Sequence, residues 1–238
     1  MGKKISGVHK VIFIAVMLGI TILLGGIGAK VGLWLPMAGF LMTYAFGLIS
    51  FLVMFFVLNK YLIDNWRKTV LFYISAIILT GGAYFIMQQN APVENSLPGI
   101  HDITTDIENP PEFIALLNAP GRKNSFDYPD ETAEKQVVKY PMVKPLMTDL
   151  TPADAYSKAV QVAKQMNWTI VGENPALGRF EATDDTKWFN FHDDLVVRVA
   201  ADVSGSLIDL RSLSRVGGSD HGLGAIRIMK FQRQFSAE

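Results

Sequence analysis

Residues 195–216 read LVVRVAADVSGSLIDLRSLSRV. Leu195, Val197, Val199 and Ala201 alternate with the polar Asp194, Arg198 and Asp202, which is the period of a strand with one buried face. Ser204-Gly205 is a hairpin signal, and beyond it Ile208, Leu210 and Ser212 oppose Asp209, Arg211 and Arg215. Two antiparallel strands with an apolar face and a mixed-sign charged face are therefore expected. Working outward, residues 168–173 and 177–185 are short β-prone runs separated by the turn signal Asn174-Pro175. Thr151 is placed to cap a helix with Pro152 at its first position, and Tyr156, Ala159, Val160 and Ala163 recur at helical spacing. A last helix, capped by Ser219 or Asp220, runs to about Phe235 with Ala225 and Ile228 on its buried face. The order helix, four mainly antiparallel strands, helix predicts a two-layer α+β domain over residues 151–238.

The chain has 238 residues, 22 basic and 22 acidic side chains, and no cysteine. The zero sum excludes a generally basic nucleic-acid binder, and the lack of cysteine excludes a disulfide scaffold or a thiolate metal site. The charges are segregated, however. Residues 1–90 hold Lys3, Lys4, Lys10, Lys30, Lys60, Arg67 and Lys68 against Asp64 alone, a net +6, so the rest carries −6. The same ninety residues contain three uncharged apolar runs, 11–29, 31–58 and 69–87. Each approaches or exceeds the roughly 20 helical residues that cross a bilayer core. Residues 1–90 thus read as an anchor of three transmembrane helices, with Pro36 placing the second span at 37–58 and Trp34, Tyr61 and Trp66 as interfacial aromatics. Gly25, Gly26, Gly28 and Gly32 suit a tight first connection. Basic residues at the flanks orient the N-terminus to the cytoplasm, in a multi-pass arrangement. The C-terminal domain is then periplasmic or otherwise extracytoplasmic. Residues 91–110 read as a linker, and 111–150, polar and proline-containing, as extended chain wrapping the domain.

Several motifs carry a family resemblance. Ile100-His101-Asp102-Ile103-Thr104-Thr105-Asp106, Gly178-Arg179-Phe180-Glu181-Ala182, the aromatic-acidic run Trp188, Phe189, Phe191, Asp193, Asp194, and Asp209 with Arg211-Ser212 and Ser214-Arg215-Val216-Gly217 follow one another in order. This pattern resembles the domain-of-unknown-function family fourteen-ninety-nine from about Ile100 to Phe235. The resemblance implies bacterial proteins, often membrane-anchored or exported, and hence a bacterial inner membrane for the anchor, with no agreed activity and no catalytic residues to carry over. His221 departs from the family pattern, in which an apolar residue is expected.

The candidate chemistry is sparse. His101, Asp102, Asp106 and Glu108 offer metal-ligand atoms, but not at the spacing of a zinc or calcium site. Ser219-Asp220-His221 has the residue types of a hydrolase triad, yet adjacent residues cannot face one another as a triad requires. His192 beside Asp193 and Asp194 meets the same objection. The charged strand face is the more informative feature. Arg211, Arg215, Arg198 and Arg179 are candidate planar donors to a carboxylate or phosphate. The alternatives are a solvated ladder of cross-strand ion pairs and buried pairs of the arginines with Asp209 or Asp194. Trp188, Phe189 and Phe191 either plug the end of the core or, through Trp188 and Phe189, offer contacts for a lipid or a protein. The sequence favours a non-catalytic protein that binds an envelope component, protein or anionic ligand at the membrane, with no cofactor, no metal and no nucleic acid. A membrane-anchored hydrolase or metal-dependent enzyme using His101, Asp102, His192 or Asp220 is the alternative.

Overall fold

The computed structural model describes residues 17, 20, 24–62, 99–186 and 190–237, with the side chains of 50, 51 and 53–62 left out. Two compact units divide the chain, Met1–Asn90 with Thr186–Asn190, and Ala91–Asp185 with Phe191–Glu238.

In the first unit, residues 24–30 are helical and helix α1 covers Pro36–Leu62. The turn between them ends the first helix as a Schellman motif. Leu33 N–H donates to Gly28 O at 2.8 Å and Gly32 N–H to Ala29 O at 3.2 Å, with Gly32 at φ +77°. Trp34 folds its ring onto Gly28 and donates its indole N–H to Gly25 O at 3.0 Å, which ties it back to the first helix.

The expected three-span anchor is overturned. Among the described residues, no helix is long and apolar enough to cross a membrane. Of the expected spans, 69–87 lies wholly outside the described residues and 11–29 largely so. The second coincides with α1, and neither it nor any other helix among the described residues is long and apolar enough to cross a bilayer core. The transmembrane, multi-pass assignment, the inner-membrane location and the cytoplasmic-to-periplasmic orientation built on those spans fall with it.

The second unit is built on one antiparallel sheet of six strands, two more than expected. The strands are β1 (Asp102–Thr104), β2 (Leu146–Thr148), β3 (Thr169–Asn174), β4 (Arg179–Asp185), β5 (His192–Asp202) and β6 (Gly205–Ser214). Their order is β1-β6-β5-β4-β3, with β2 lying beside β6 in line with β1. The β5–β6 hairpin turns at Val203-Ser204, so that Asp202 faces Gly205 and Leu195 faces Ser212. Helices α3 (Pro152–Gln165) and α4 (Leu223–Ala237) cover one sheet face. Their Tyr156, Ala159, Ala163, Ile228 and Phe231 pack on Phe180, Leu195, Val197, Ile208 and Leu210. Thr151 Oγ1 accepts from Asp154 N–H at 3.3 Å and caps α3. Trp168 stacks on Phe231 with centroids 5.4 Å apart, joining the end of α3 to α4.

The opposite face, read from sequence as an exposed charged ladder, is covered. Residues 109–128 cross it as an irregular strap, and Phe113 and Leu116, with Ala119 and Phe126 beside them, pack on Val196 and Leu213 in a second small core. The remainder of the expected wrapping segment forms helix α2 (Asp130–Lys139) and β2.

Helix α2 has one buried residue, Gln136, and it closes the sheet edge. Its Oε1 accepts from Thr104 N–H at 2.8 Å and its Nε2 donates to Thr104 O at 2.6 Å. The side-chain amide thus takes the place of a neighbouring strand's peptide on the outer edge of β1, and Tyr128 OH donates to the same Oε1 at 2.8 Å. Replacing Gln136 with Leu strands both groups of Thr104, and we expect a loss of about 1–3 kcal/mol per unmet group in urea unfolding of the full-length protein. Gln136→Glu should not rescue it, because a carboxylate has no donor for Thr104 O. A Leu variant within a few tenths of a kcal/mol of the parent would show that the edge does not depend on this residue.

Candidate functional site

Period-two alternation places Glu181, Asp194, Arg198, Asp209, Arg211 and Arg215 on the strap side of the sheet. The strap supplies what they bind. Its chain runs through Pro110, Pro111 and Pro120, outside any ladder, so its carbonyls and amides need partners elsewhere. Arg211 forks onto Asp102, Nε to Oδ1 at 3.0 Å and Nη2 to Oδ2 at 2.6 Å. Its remaining N–H groups donate to Phe126 O at 2.6 Å and Pro111 O at 3.3 Å. Arg215 does the same with Asp194, at 2.8–3.0 Å, and donates to Pro120 O at 3.1 Å. Glu181 is the acidic counterpart. Its carboxylate accepts the amides of Ile114, Ala115 and Leu116 at 2.8–3.1 Å, and Arg179 Nη2 at 2.8 Å. Arg198 joins Asp209 at 2.9 Å to Asp106 at 2.8 Å, and Asp106 also accepts the amides of Glu108 and Asn109.

The sequence candidates therefore separate. The guanidinium groups of Arg211 and Arg215 are buried in ion pairs, with side chains 4% and 9% exposed. Arg215 pairs with Asp194 as one of the alternatives had it, whereas Arg211 pairs with Asp102 and not with its neighbour Asp209. Arg179 and Arg198, register partners across β4 and β5, stay partly open to solvent. Both line a cleft of about 190 Å³ with Asn109, Pro110, Pro111 and Leu177. A second cleft of about 190 Å³ lies on the other side of Arg179, against Ile114, Ala115, Gly172, Glu173 and Glu181. Trp188 and Phe189 lie outside the described residues.

The candidates for catalysis are spread over different structural tasks. Asp102 is tied to Arg211, and burial raises its carboxyl pKa. His101 contributes its backbone carbonyl to Ser214 N–H at 2.8 Å. His192 pairs through Nδ1 with Asp185 at the start of β5. Asp220 accepts Gly222 N–H at 2.7 Å and Gly224 N–H at 2.8 Å at the head of α4, and burial raises its pKa. His221 sits exposed at φ +53°. Among the described residues, no three His, Asp or Glu side chains come together as a metal site.

Two further groups escaped sequence reading. Arg227 of α4 donates to Asp193 Oδ2 and Asp184 Oδ2 at 2.7 Å, bridging two aspartates that face each other across β4 and β5. Burial alone would lower its pKa, but the two carboxylates more than offset this and raise it. Two positions after Ala225 and one before Ile228, it falls off their helical spacing, and its partners come from other elements. Arg122, in the strap, donates to Asp194 and stacks on Phe126 with its guanidinium carbon 3.9 Å from the ring centroid. It lies in a stretch without periodicity, and no sequence signal marks it.

Two outcomes test this arrangement. Arg211→Met should cost about 3–5 kcal/mol by stranding Asp102, and adding Asp102→Leu should cost less than the sum of the two single changes. Denaturant midpoints of the four proteins check this; single variants within about 0.5 kcal/mol of the parent would contradict a buried pair. The second outcome concerns Asp220. Its native pKa lies above the ordinary 3.8, so the folded state holds the proton more tightly and stability declines as pH rises from that value through the native one. Asp220→Asn removes the titration, and its stability relative to the parent should improve as pH rises across that window. A difference between the two proteins that does not change with pH would refute the raised value.

The comparisons with known proteins agree with the extent of this domain. No curated protein matches the chain. The family model described as "Protein of unknown function (DUF1499)" matches residues 102–235. The match begins at the first residue of β1, takes in the strap and all six strands, and ends within α4. Covering more than half of the chain, it makes this protein a member of the DUF1499 family.

Proposed function

We propose that the DUF1499 domain is a non-catalytic binding module that engages a protein partner through the surface around Arg179. The observation that carries this reading is the placement of one arginine between two shallow clefts whose rims hold large exposed apolar side chains. Leu177, 65% exposed, lines the first cleft, and Ile114, 57% exposed, lines the second. Val171, next to the second cleft through Gly172, is 48% exposed. Arginine ringed by apolar side chains is a common composition for the centre of a protein interface. At about 190 Å³ each, the clefts are smaller than the ~300–1,000 Å³ typical of small-molecule sites. Arg179 also has donors to spare, because its Nη2 alone is used, on Glu112 O and Glu181. A carboxylate on the partner suits the remaining edge of the fork. The dispersal of His101, Asp102, His192 and Asp220 supports binding over catalysis.

Photocrosslinking in cells tests the reading. A photoreactive amino acid at Leu177 of the full-length protein should give a discrete protein adduct, and Ile114→Asp should suppress it without lowering Tm. The same amino acid at Val203, on the tip of the β5–β6 hairpin, is the control. Equal capture from Val203, or capture from Leu177 that is indifferent to Ile114→Asp, would reject this surface.

A further inference from the structure

We propose that the open edge of β3 pairs with β3 of a second copy of this chain, antiparallel across a two-fold axis between Val171 and Gly172. The pairing concerns the sheet edge and does not rest on the binding surface around Arg179. The two edges of the sheet are treated differently. Beyond β1, the amide of Gln136 stands in for a neighbouring strand. Beyond β3, among the described residues, no strand follows. Every second residue of an edge strand turns its N–H and C=O away from its one neighbour, and such a row is a template for a further strand. Thr169, Val171, Glu173 and Asn174 are exposed along this edge.

An irregularity in β3 selects what fits there. Residues opposite each other across a ladder share a face. Ile170 lies opposite Ala182 of the main core, and Gly172 lies opposite Glu181 on the strap side. Val171 is the extra residue of a bulge between them. Thr169 and Asn174 fall on the strap side, opposite Thr183 and Arg179, while Glu173 falls on the helical side, opposite Phe180. A regular strand alternates strictly, so it loses phase with β3 on crossing the bulge. A second copy carries the same extra residue and stays in phase throughout. With the axis between Val171 and Gly172, Thr169 meets the second copy's Asn174 on the strap side. Ile170 meets the second copy's Glu173 on the helical side, and Val171 meets Gly172, which has no side chain to obstruct it. Each contact is made twice, as an isologous interface requires.

Charge fits the same axis. Glu173 is the one charged residue of β3. Tyr156 donates its hydroxyl to Glu173 at 3.2 Å, so the start of α3 lies over the end of β3. Tyr156, Val160 and Lys164 recur at every fourth position along one side of α3, which sets Lys164, exposed in the last turn, toward the start of β3. Within one copy, Glu173 and Lys164 stand at opposite ends of the strand. The two-fold axis brings each beside its counterpart in the second copy.

The chain has no cysteine, so introduced thiols test the pairing in the full-length protein. Within one copy Thr169 and Asn174 are ~16 Å apart along the strand, beyond the ~7 Å reach of a disulfide. The double variant Thr169→Cys with Asn174→Cys should therefore form a covalent dimer under oxidised glutathione. Either single variant, and Val203→Cys on the hairpin tip, should not. In sedimentation velocity the parent should dimerise with rising concentration. Val171→Lys, which sets two like charges at the axis, should give folded monomers by sedimentation and circular dichroism. Lys164→Glu should raise the dissociation constant several-fold, and adding Glu173→Lys should restore it. A parent that is monomeric at every concentration tested overturns the proposal, as does a dimer that Val171→Lys leaves intact. A covalent dimer formed as readily from Val203→Cys, or a charge swap that fails to restore pairing, overturns it as well.

Discussion

Charged side chains that bind backbone hold this domain together. Glu181 gathers three successive strap amides, while Arg211 and Arg215 reach three strap carbonyls after neutralising Asp102 and Asp194. A proline-containing segment has no strand partner, so its peptide groups must find acceptors and donors among side chains or remain in water. The sheet provides them, and this lets an irregular chain lie on a charged face. The apolar contribution, from Phe113, Leu116, Val196 and Leu213, is small beside the core on the helical face.

The same charges constrain the register. Arg179 faces Arg198 and Asp184 faces Asp193 across β4 and β5, pairings that repel if left alone. Each is relieved from outside the pair. Arg227 bridges the aspartates from α4, while Glu181, Asp106 and Asp209 serve the arginines. A one-residue slip would turn every one of these side chains to the wrong face. Replacing such buried pairs with apolar residues often costs nothing in stability, so a role in specifying one alignment is the fitting hypothesis for their presence here. Double replacement of Arg227 and Asp193 by apolar residues, followed by measurement of backbone register, would decide it; an unchanged register would sink the idea.

This commitment of charge also directs the reading of function. Arginines alternating along a strand suggest an anion site, yet Arg211 and Arg215 spend their donors inside the fold. What remains for partners lies at the margins of the strap. Arg179 keeps free donors between two clefts.

Alternation in residues 195–216 and helical spacing in 151–163 made β5, β6 and α3 legible, because a strand or helix with one buried face writes its period into the chain. Thr151 and Asp220 were legible as caps for a similarly local reason. The short strands β1 and β2 were not, since three residues carry no period and both exist only as partners of β6. Hydropathy, a local sum, pointed to three membrane spans that the described helices do not support. The charged face was legible as a face, but its burial was not. Whether an alternating arginine meets solvent, a ligand or a carbonyl depends on what lies above it. Only tertiary structure brings Pro111, Pro120 and Phe126 to Arg211 and Arg215, from 85 to 100 positions away in the chain. Position along a strand determines which way a side chain points, and long-range packing decides what it finds there.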